Sequence, residues 1–297
     1  MEFAYVNGKI VPAHKAVLSI FDRGLVLGDG LFETLKAVDY VPEFYKEHYS
    51  RLKKSAKRLK LHLPVSEDGL LSIINTLCKK SKLKMAVVRI TLTRGMYTGG
   101  LAIDPTVEPS LMVSVREVPA ENKRLIEKGV NVAVSSINKI ATSGLDPQLK
   151  STNYLANIFA KAEADQKGCY EAILLGEKGE IAELSTASFF VVIKGRVYTP
   201  PIDTGILPGI TRQQVLKLLQ HGRLDFQEKK VFLKEMPKFE EAFLTSSVRG
   251  VIPIVKIDKK MIGEGRPGVL TKKLWQMYID RCGKNRLKCA KSIKSEN

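Results

Sequence analysis

The sequence predicts an α+β fold in two domains, a smaller N-terminal α/β domain over residues 1–118 and a larger strand-rich C-terminal domain over residues 130–280. Three observations carry this. Helical spacing of apolar residues is confined to a few segments, 47–61 and 66–80 among them. Short β-rich runs bounded by Gly, Pro and Asn recur along the rest of the chain. The segment Val118-Pro119-Ala120-Glu121-Asn122-Lys123 is polar, contains proline and follows a strand, which marks a linker over 119–129. Residues 281–297 form a basic tail.

The elements follow in order. Phe3-Ala4-Tyr5-Val6 is a short strand, Asn7-Gly8 a tight-turn pair and Lys9-Ile10-Val11 the returning strand of a hairpin. Phe21-Asp22-Arg23-Gly24 turns towards Gly28-Asp29-Gly30 and a strand over 31–38. In 47–61 the residues Tyr49, Leu52, Ala56 and Leu59 share a helix face, with Lys and Arg between them. A second helix covers 66–80, and strands cover 85–92 and 111–115. Beyond the linker come a strand at 130–134, a loop rich in Ser, Gly and Pro, and a helix over 151–166. Turns at Glu177-Lys178-Gly179 and Lys194-Gly195 join strand pairs. Helices at 211–219 and 271–279 bracket strands at 242–245 and 251–257.

Composition narrows the function classes. A hydrophobic share of 44% and a charged share of 27% over 297 residues are those of a soluble globular protein. No apolar run approaches the roughly 20 residues needed to cross a bilayer. The start, MEFAYVNGKI, has an acid and an early turn instead of a basic start and apolar core, so no signal peptide is expected. Cys78, Cys169, Cys282 and Cys289 fit neither a disulfide framework nor metal-ligand spacing, and the four histidines are scattered. The expectation is a cytoplasmic protein without a metal site. The net charge of +17 is spread along the chain, and only Arg281, Lys284, Arg286, Lys288, Lys291 and Lys294 form a dense run. No nucleic-acid-binding signature accompanies it, so it reads as solvated surface with a bias towards anionic ligands.

Chemistry is carried by a combination of residues. Lys150 follows a Gly/Pro/Ser loop and stands at the mouth of the expected 151–166 helix. The positive end of a helix disfavours a second positive charge, which suits an amine that must be neutral to form an imine. In isolation it would be an ordinary loop lysine with its head in water. Glu183 follows a strand and precedes a small polar loop; an acid so placed is suited to hold a protonated ring nitrogen. Leu207-Pro208-Gly209-Ile210-Thr211-Arg212 sets a Pro-Gly turn directly before a helix, whose first amides are ready for an anion. Thr245-Ser246-Ser247 offers three hydroxyls at a strand end as a second lobe. Arg51 can add a charge-assisted contact.

The ordered set of Asp22-Arg23-Gly24, Gly28-Asp29-Gly30-Leu31-Phe32-Glu33, His48 with Arg51-Leu52, Lys150 beside Asn153-Tyr154, Glu171-Ala172-Ile173-Leu174, Glu183, and Thr199-Pro200-Pro201 through Thr211-Arg212 resembles the class IV pyridoxal-phosphate family. Branched-chain aminotransferases, D-amino-acid aminotransferases and aminodeoxychorismate lyase belong to that family. The similarity runs from about residue 3 to residue 280, in the family's order. It implies the two-domain fold of type IV, with the active site between the domains and near a homodimer interface. The implied cofactor is pyridoxal 5'-phosphate, with Lys150 as its Schiff-base lysine and proton shuttle and Glu183 on the pyridine nitrogen. Arg51, Ile210 through its amide, Thr211, Ser246 and Ser247 would bind the phosphate, and Tyr154 the phenolic oxygen.

The match departs in places. Relatives carry a small residue after the pyridine-binding glutamate and an asparagine five positions beyond it; here these are Leu184 and Ser188. Where D-amino-acid aminotransferases offer an arginine and a histidine to the substrate carboxylate, this chain has Gly99 and Leu101. Substrate contacts then fall to Phe32, Tyr97 and Arg94, the last being equally a strand-end structural residue. The implied reaction is transamination between an amino acid, branched-chain L- or D-, and a 2-oxo acid. The alternative is elimination releasing pyruvate at the same cofactor site, towards which Thr245-Ser246-Ser247-Val248-Arg249-Gly250-Val251 leans.

Overall fold

A computed structural model describes residues 2–97, 99–120, 122–139 and 146–294. The centre of the expected Ser/Gly/Pro loop, Glu121 of the linker, Thr98 of the substrate loop and the side chains of Lys288, Cys289, Lys291 and Lys294 lie outside the described residues. Contacts divide the chain into two compact units. Met1–Val118, Leu149–Asn153 and Cys282–Asn297 form the first; Pro119–Gln148 and Tyr154–Arg281 form the second.

The first unit is built on strands β1 (Phe3–Val6), β2 (Lys9–Pro12), β3 (Gly30–Val38), β4 (Val41–Pro42), β5 (Met85–Thr93) and β6 (Ser110–Glu117). They form one antiparallel sheet in the order β2-β1-β6-β5-β3-β4. Asn7 and Gly8 both take positive φ, 44° and 89°, as the two-residue hairpin turn demands. Beside the one-turn helix α1 (Arg23–Val26), two longer helices occur, α2 (Tyr45–Arg58) and α3 (Glu67–Lys80). Ser66 caps α3 by accepting the Gly69 N–H at 3.1 Å. Tyr49, Leu52 and Ala56 of α2, with Leu70, Ile74 and Leu77 of α3, pack on Leu35, Val88, Ile90 and Val113 of the sheet.

The second unit begins with α4 (Asn122–Lys128), a short helix inside the expected linker, and β7 (Val130–Val134). There follow α5 (Leu155–Gln166), β8 (Glu171–Leu175), β9 (Glu180–Leu184), β10 (Ser188–Ile193), β11 (Arg196–Thr199) and α6 (Ile210–His221). Strands β12 (Phe226–Glu228), β13 (Val231–Phe232), β14 (Glu241–Ser246), β15 (Gly250–Ile257) and β16 (Lys260–Met261) precede α7 (Val269–Lys294). The sheet runs β12-β11-β10-β14-β15-β7-β8-β9-β13, with β16 beside β15. Every residue of β10 is buried, which explains why Phe189-Phe190-Val191-Val192 reads as a continuous apolar run and not an alternating one.

Two sequence expectations change. The helix expected from residue 151 begins at Leu155, because residues 150–153 are held as an extended segment against β3. The Phe32 N–H donates to the Lys150 carbonyl at 2.8 Å and the Thr152 N–H to the Gly30 carbonyl at 2.9 Å. Lys150 is therefore not at a helix mouth. The basic tail is also not a separate segment: α7 continues through it to Lys294. No helix among the described residues is long and apolar enough to cross a membrane.

Candidate active site

Within the first unit, the Lys150 segment is an added edge on β3. Besides the two backbone bonds, the Thr152 hydroxyl donates to the Gly28 carbonyl at 2.7 Å and Asn153 Nδ2 to the same oxygen at 3.1 Å. These bonds explain why the Gly28-Asp29-Gly30 turn and Lys150-Ser151-Thr152-Asn153 are needed together. Lys150 Nζ stands 4.4 Å from the centroid of the buried Phe32 ring, and the Arg89 guanidinium 3.8 Å from it.

On the same sheet, Leu31, Leu35 and Ala37 of β3 point into the apolar core, and Glu33 shares their face. A carboxylate there needs partners, and α2 supplies them. Arg51 binds it with two bonds of 2.7 Å, and His48 Nδ1 lies 2.7 Å from Oε2. Burial pushes the Glu33 carboxyl up, but Arg51 and His48 outweigh it and hold it at about 2. Burial pushes the His48 imidazole below its ordinary range despite the pull of Glu33. The sequence alone assigns Glu33 no role; the signal for one is a charged residue at an inward strand position.

A second acid, Asp29, gathers both nearby arginines. Arg94 donates to it through Nε (2.7 Å) and Nη2 (3.1 Å), and Arg23 through Nε (3.0 Å). Arg94 also reaches the carbonyls of Lys60 (3.2 Å) and Leu59 (2.9 Å). Burial raises the Asp29 carboxyl, and the two arginines bring it below the usual range. The Tyr97 ring lies 5.9 Å from the Arg23 guanidinium carbon.

In the second unit, Glu183 stands at the end of β9, 7% exposed. Its Oε1 forms an ion pair with Lys139, and its Oε2 accepts the Leu207 N–H at 3.2 Å. Nothing in the sequence distinguishes Lys139 from the other lysines. Leu207 opens the Pro-Gly turn that leads into α6. Gly209 is the N-cap of that helix, with no side-chain cap. A Cβ on Gly209 would lie 2.7 Å from Ser188 Oγ, so any larger residue here would have to displace that hydroxyl. Ile210 and Thr211 follow, both buried. Thr211 Oγ1 and Thr245 Oγ1 are buried without a hydrogen-bond partner. Such hydroxyls are rare and mark a place for a missing acceptor. Ser246 and Ser247 continue from Thr245 and are half-buried, as is Tyr154. Leu184, a departure noted above, is buried in the apolar core of this unit.

A family model described as Amino-transferase class IV matches residues 30–257. The D-alanine aminotransferase of Bacillus licheniformis is 32% identical over 270 residues, 90% of this chain and 92% of its own length. The aminodeoxychorismate lyase of Bacillus subtilis (strain 168) is 32% identical over 277 residues, 92% of each chain. Among solved structures, a branched-chain amino acid aminotransferase from the archaeon Thermoproteus uzoniensis, with norvaline, superposes with a TM-score of 0.88. It is 26% identical, covering 97% of each chain.

Proposed function

Since the chain belongs to the class IV aminotransferase family, we propose that it transfers an amino group between an amino acid and a 2-oxo acid, with pyridoxal 5'-phosphate as cofactor. The observation that carries this reading is the bond from the Leu207 N–H to Glu183. It ties an acid suited to a ring nitrogen directly to the loop that opens an anion-binding helix end.

The residues fit the cofactor. Its phosphate calls for several donors, and the uncapped start of α6 with the partnerless hydroxyls of Thr211 and Thr245 offers them. When bound, the cofactor supplies an electron sink that weakens the Cα–H bond of an amino acid joined to it. Glu183 holds the protonated ring nitrogen, and Lys139 provides countercharge. Arg51, the amide of Ile210 and the hydroxyls of Thr211, Ser246 and Ser247 hold the phosphate, while Tyr154 donates to the phenolic oxygen. Lys150 would hold the cofactor through Nζ, and its amine, once free, would be the base that takes and returns the α-proton. Holding that base beside the substrate would make the proton transfer effectively intramolecular.

On the substrate side, Phe32 and Tyr97 are the proposed contacts. The bonds of Arg94 to Asp29 and two carbonyls support its structural reading. The donor is a branched-chain L-amino acid or a D-amino acid. Borohydride reduction of the holoenzyme followed by peptide mapping is expected to label Lys150, and Lys150→Ala to abolish transamination. A screen of L- and D-amino acids for conversion of the cofactor to its amine form identifies the donor. Full activity of Lys150→Ala, or no conversion by any amino acid, would overturn transamination.

Two observations favour a second reading, the similarity to the Bacillus subtilis lyase and the Thr245–Val251 segment. Pyruvate released in many turnovers per cofactor, without any 2-oxo acid acceptor, would establish elimination instead.

The proposed assembly is a homodimer in the cytoplasm. Val17, Ile20 and Leu25 of the first unit are 76%, 70% and 66% exposed, and Leu155, Ile158 and Phe159 of α5 are also exposed, which supports coverage by a second copy. Cys78 and Cys169 are free thiols, which supports a reducing compartment. Light scattering on the purified protein tests the mass.

A further inference from the structure

Arg249 lies in the turn between β14 and β15, just past Ser246 and Ser247. Its Nε donates to Ser246 Oγ at 2.9 Å, and its backbone N–H reaches the same oxygen at 3.4 Å. Nη2 donates to Thr186 Oγ1 at 2.6 Å and to the Thr186 carbonyl at 3.3 Å. Nη1 stands 3.8 Å from Glu171 Oε1. Glu171 is 1% exposed and accepts the Ser185 hydroxyl, the Thr186 N–H at 3.2 Å and the Thr186 hydroxyl at 2.9 Å. An unbroken polar chain thus runs from a buried carboxylate through Thr186 and Arg249 to Ser246.

This chain has a direction. A serine oxygen has two acceptor positions and one proton to give. With both acceptor positions of Ser246 facing N–H groups of Arg249, its proton is aimed elsewhere. Accepting from a cation also makes the hydroxyl a stronger donor. The planar fork of arginine reaches Ser246 and Thr186 at once, which the single ammonium of a lysine does not reproduce. Glu171 in turn fixes the rotamer of Thr186, and so the guanidinium.

We propose that Arg249 is a positioning residue for the cofactor's phosphate, turning Ser246 into a dedicated hydrogen-bond donor towards it. The proposal rests on the reading of Ser246 and Ser247 as phosphate ligands given above. The test compares binding of pyridoxal phosphate and of pyridoxal, which lacks the phosphate, to the cofactor-stripped protein. The proteins are wild type, Arg249→Lys, Arg249→Met, Ser246→Ala and the double variant Ser246→Ala/Arg249→Met, each with a thermal melt. Arg249→Met and Arg249→Lys are expected to lose about tenfold in affinity for pyridoxal phosphate while pyridoxal binding changes by less than about twofold. The double variant is expected to lose no more than Ser246→Ala alone, because Arg249 acts through that hydroxyl. Equal losses for both ligands, or an unchanged ratio in Arg249→Lys, would overturn the proposal. If Arg249→Met does not fold, Arg249→Lys decides. Wild-type protein that binds neither ligand would overturn the cofactor reading itself, a result distinct from a failure of Arg249 alone.

Discussion

Glu33 grips Arg51 with both carboxylate oxygens, Nε 2.7 Å from Oε1 and Nη2 2.7 Å from Oε2, at a position 1% exposed to solvent. The fork fixes the guanidinium plane on α2 before any ligand arrives. Glu33 is held at about 2, below its ordinary value of 4.5. A depressed carboxylate adds stability above its unfolded value and loses it as pH falls towards its folded one. The contribution is therefore complete above about pH 4.5 and fades towards about pH 2. Glu33→Gln removes this countercharge from the half-buried Arg51 and is expected to cost about 3 kcal/mol near neutrality. Urea melts from about pH 2.5 to 7 would read a flatter acid limb in the variant; a slope equal to wild type would refute the assignment.

Thr211 makes the opposite trade. Its hydroxyl is buried without a partner, and an unsatisfied buried hydroxyl costs about 1–3 kcal/mol. Thr211→Val keeps the shape and removes the polar atom. The ligand-free protein is expected to gain about 1 kcal/mol while pyridoxal-phosphate affinity falls about tenfold. Melting temperatures with and without the cofactor test this. A variant less stable in the ligand-free form would mean that the hydroxyl already has a structural role.

Much of the fold was legible because local chemistry and tertiary packing agree. Asn7-Gly8 forms the hairpin turn, Tyr49, Leu52 and Ala56 form one buried helix face, and Ser66 is a helix cap. The legibility failed where distant segments decide the outcome. Residues 151–154 have no strong reason to avoid a helix except the carbonyls of Gly28 and Gly30, more than a hundred positions away, which capture Thr152. The Lys139–Glu183 pair is of the same kind. Glu33 differs, since its place on the apolar face of β3 was visible in the alternation of Leu31, Leu35 and Ala37. Arg249 lies in the Thr245–Val251 run, but its partners Thr186 and Glu171 come from other parts of the chain.

The end of α7 shows the same dependence on distant residues. Phe44 precedes α2 with a φ of 52°, and no side chain of its own caps the helix. Asn285 Oδ1 accepts the Phe44 N–H at 2.8 Å, and Arg286 pairs with Glu43, which is 2% exposed. A positive φ on a bulky residue persists only where surrounding bonds enforce it, at a strain of about 1–3 kcal/mol. Asn285 and Arg286 of α7 provide that enforcement at the start of the helix that carries His48 and Arg51. Asn285→Ala is expected to destabilise the protein by about 1 kcal/mol, as loss of a helix cap does. Truncation after residue 281 removes both contacts, so faster amide exchange should appear first in the opening turns of α2, with weaker cofactor retention following through Arg51. Exchange in 45–51 that is unchanged by the truncation would show that α2 holds its start without help from α7.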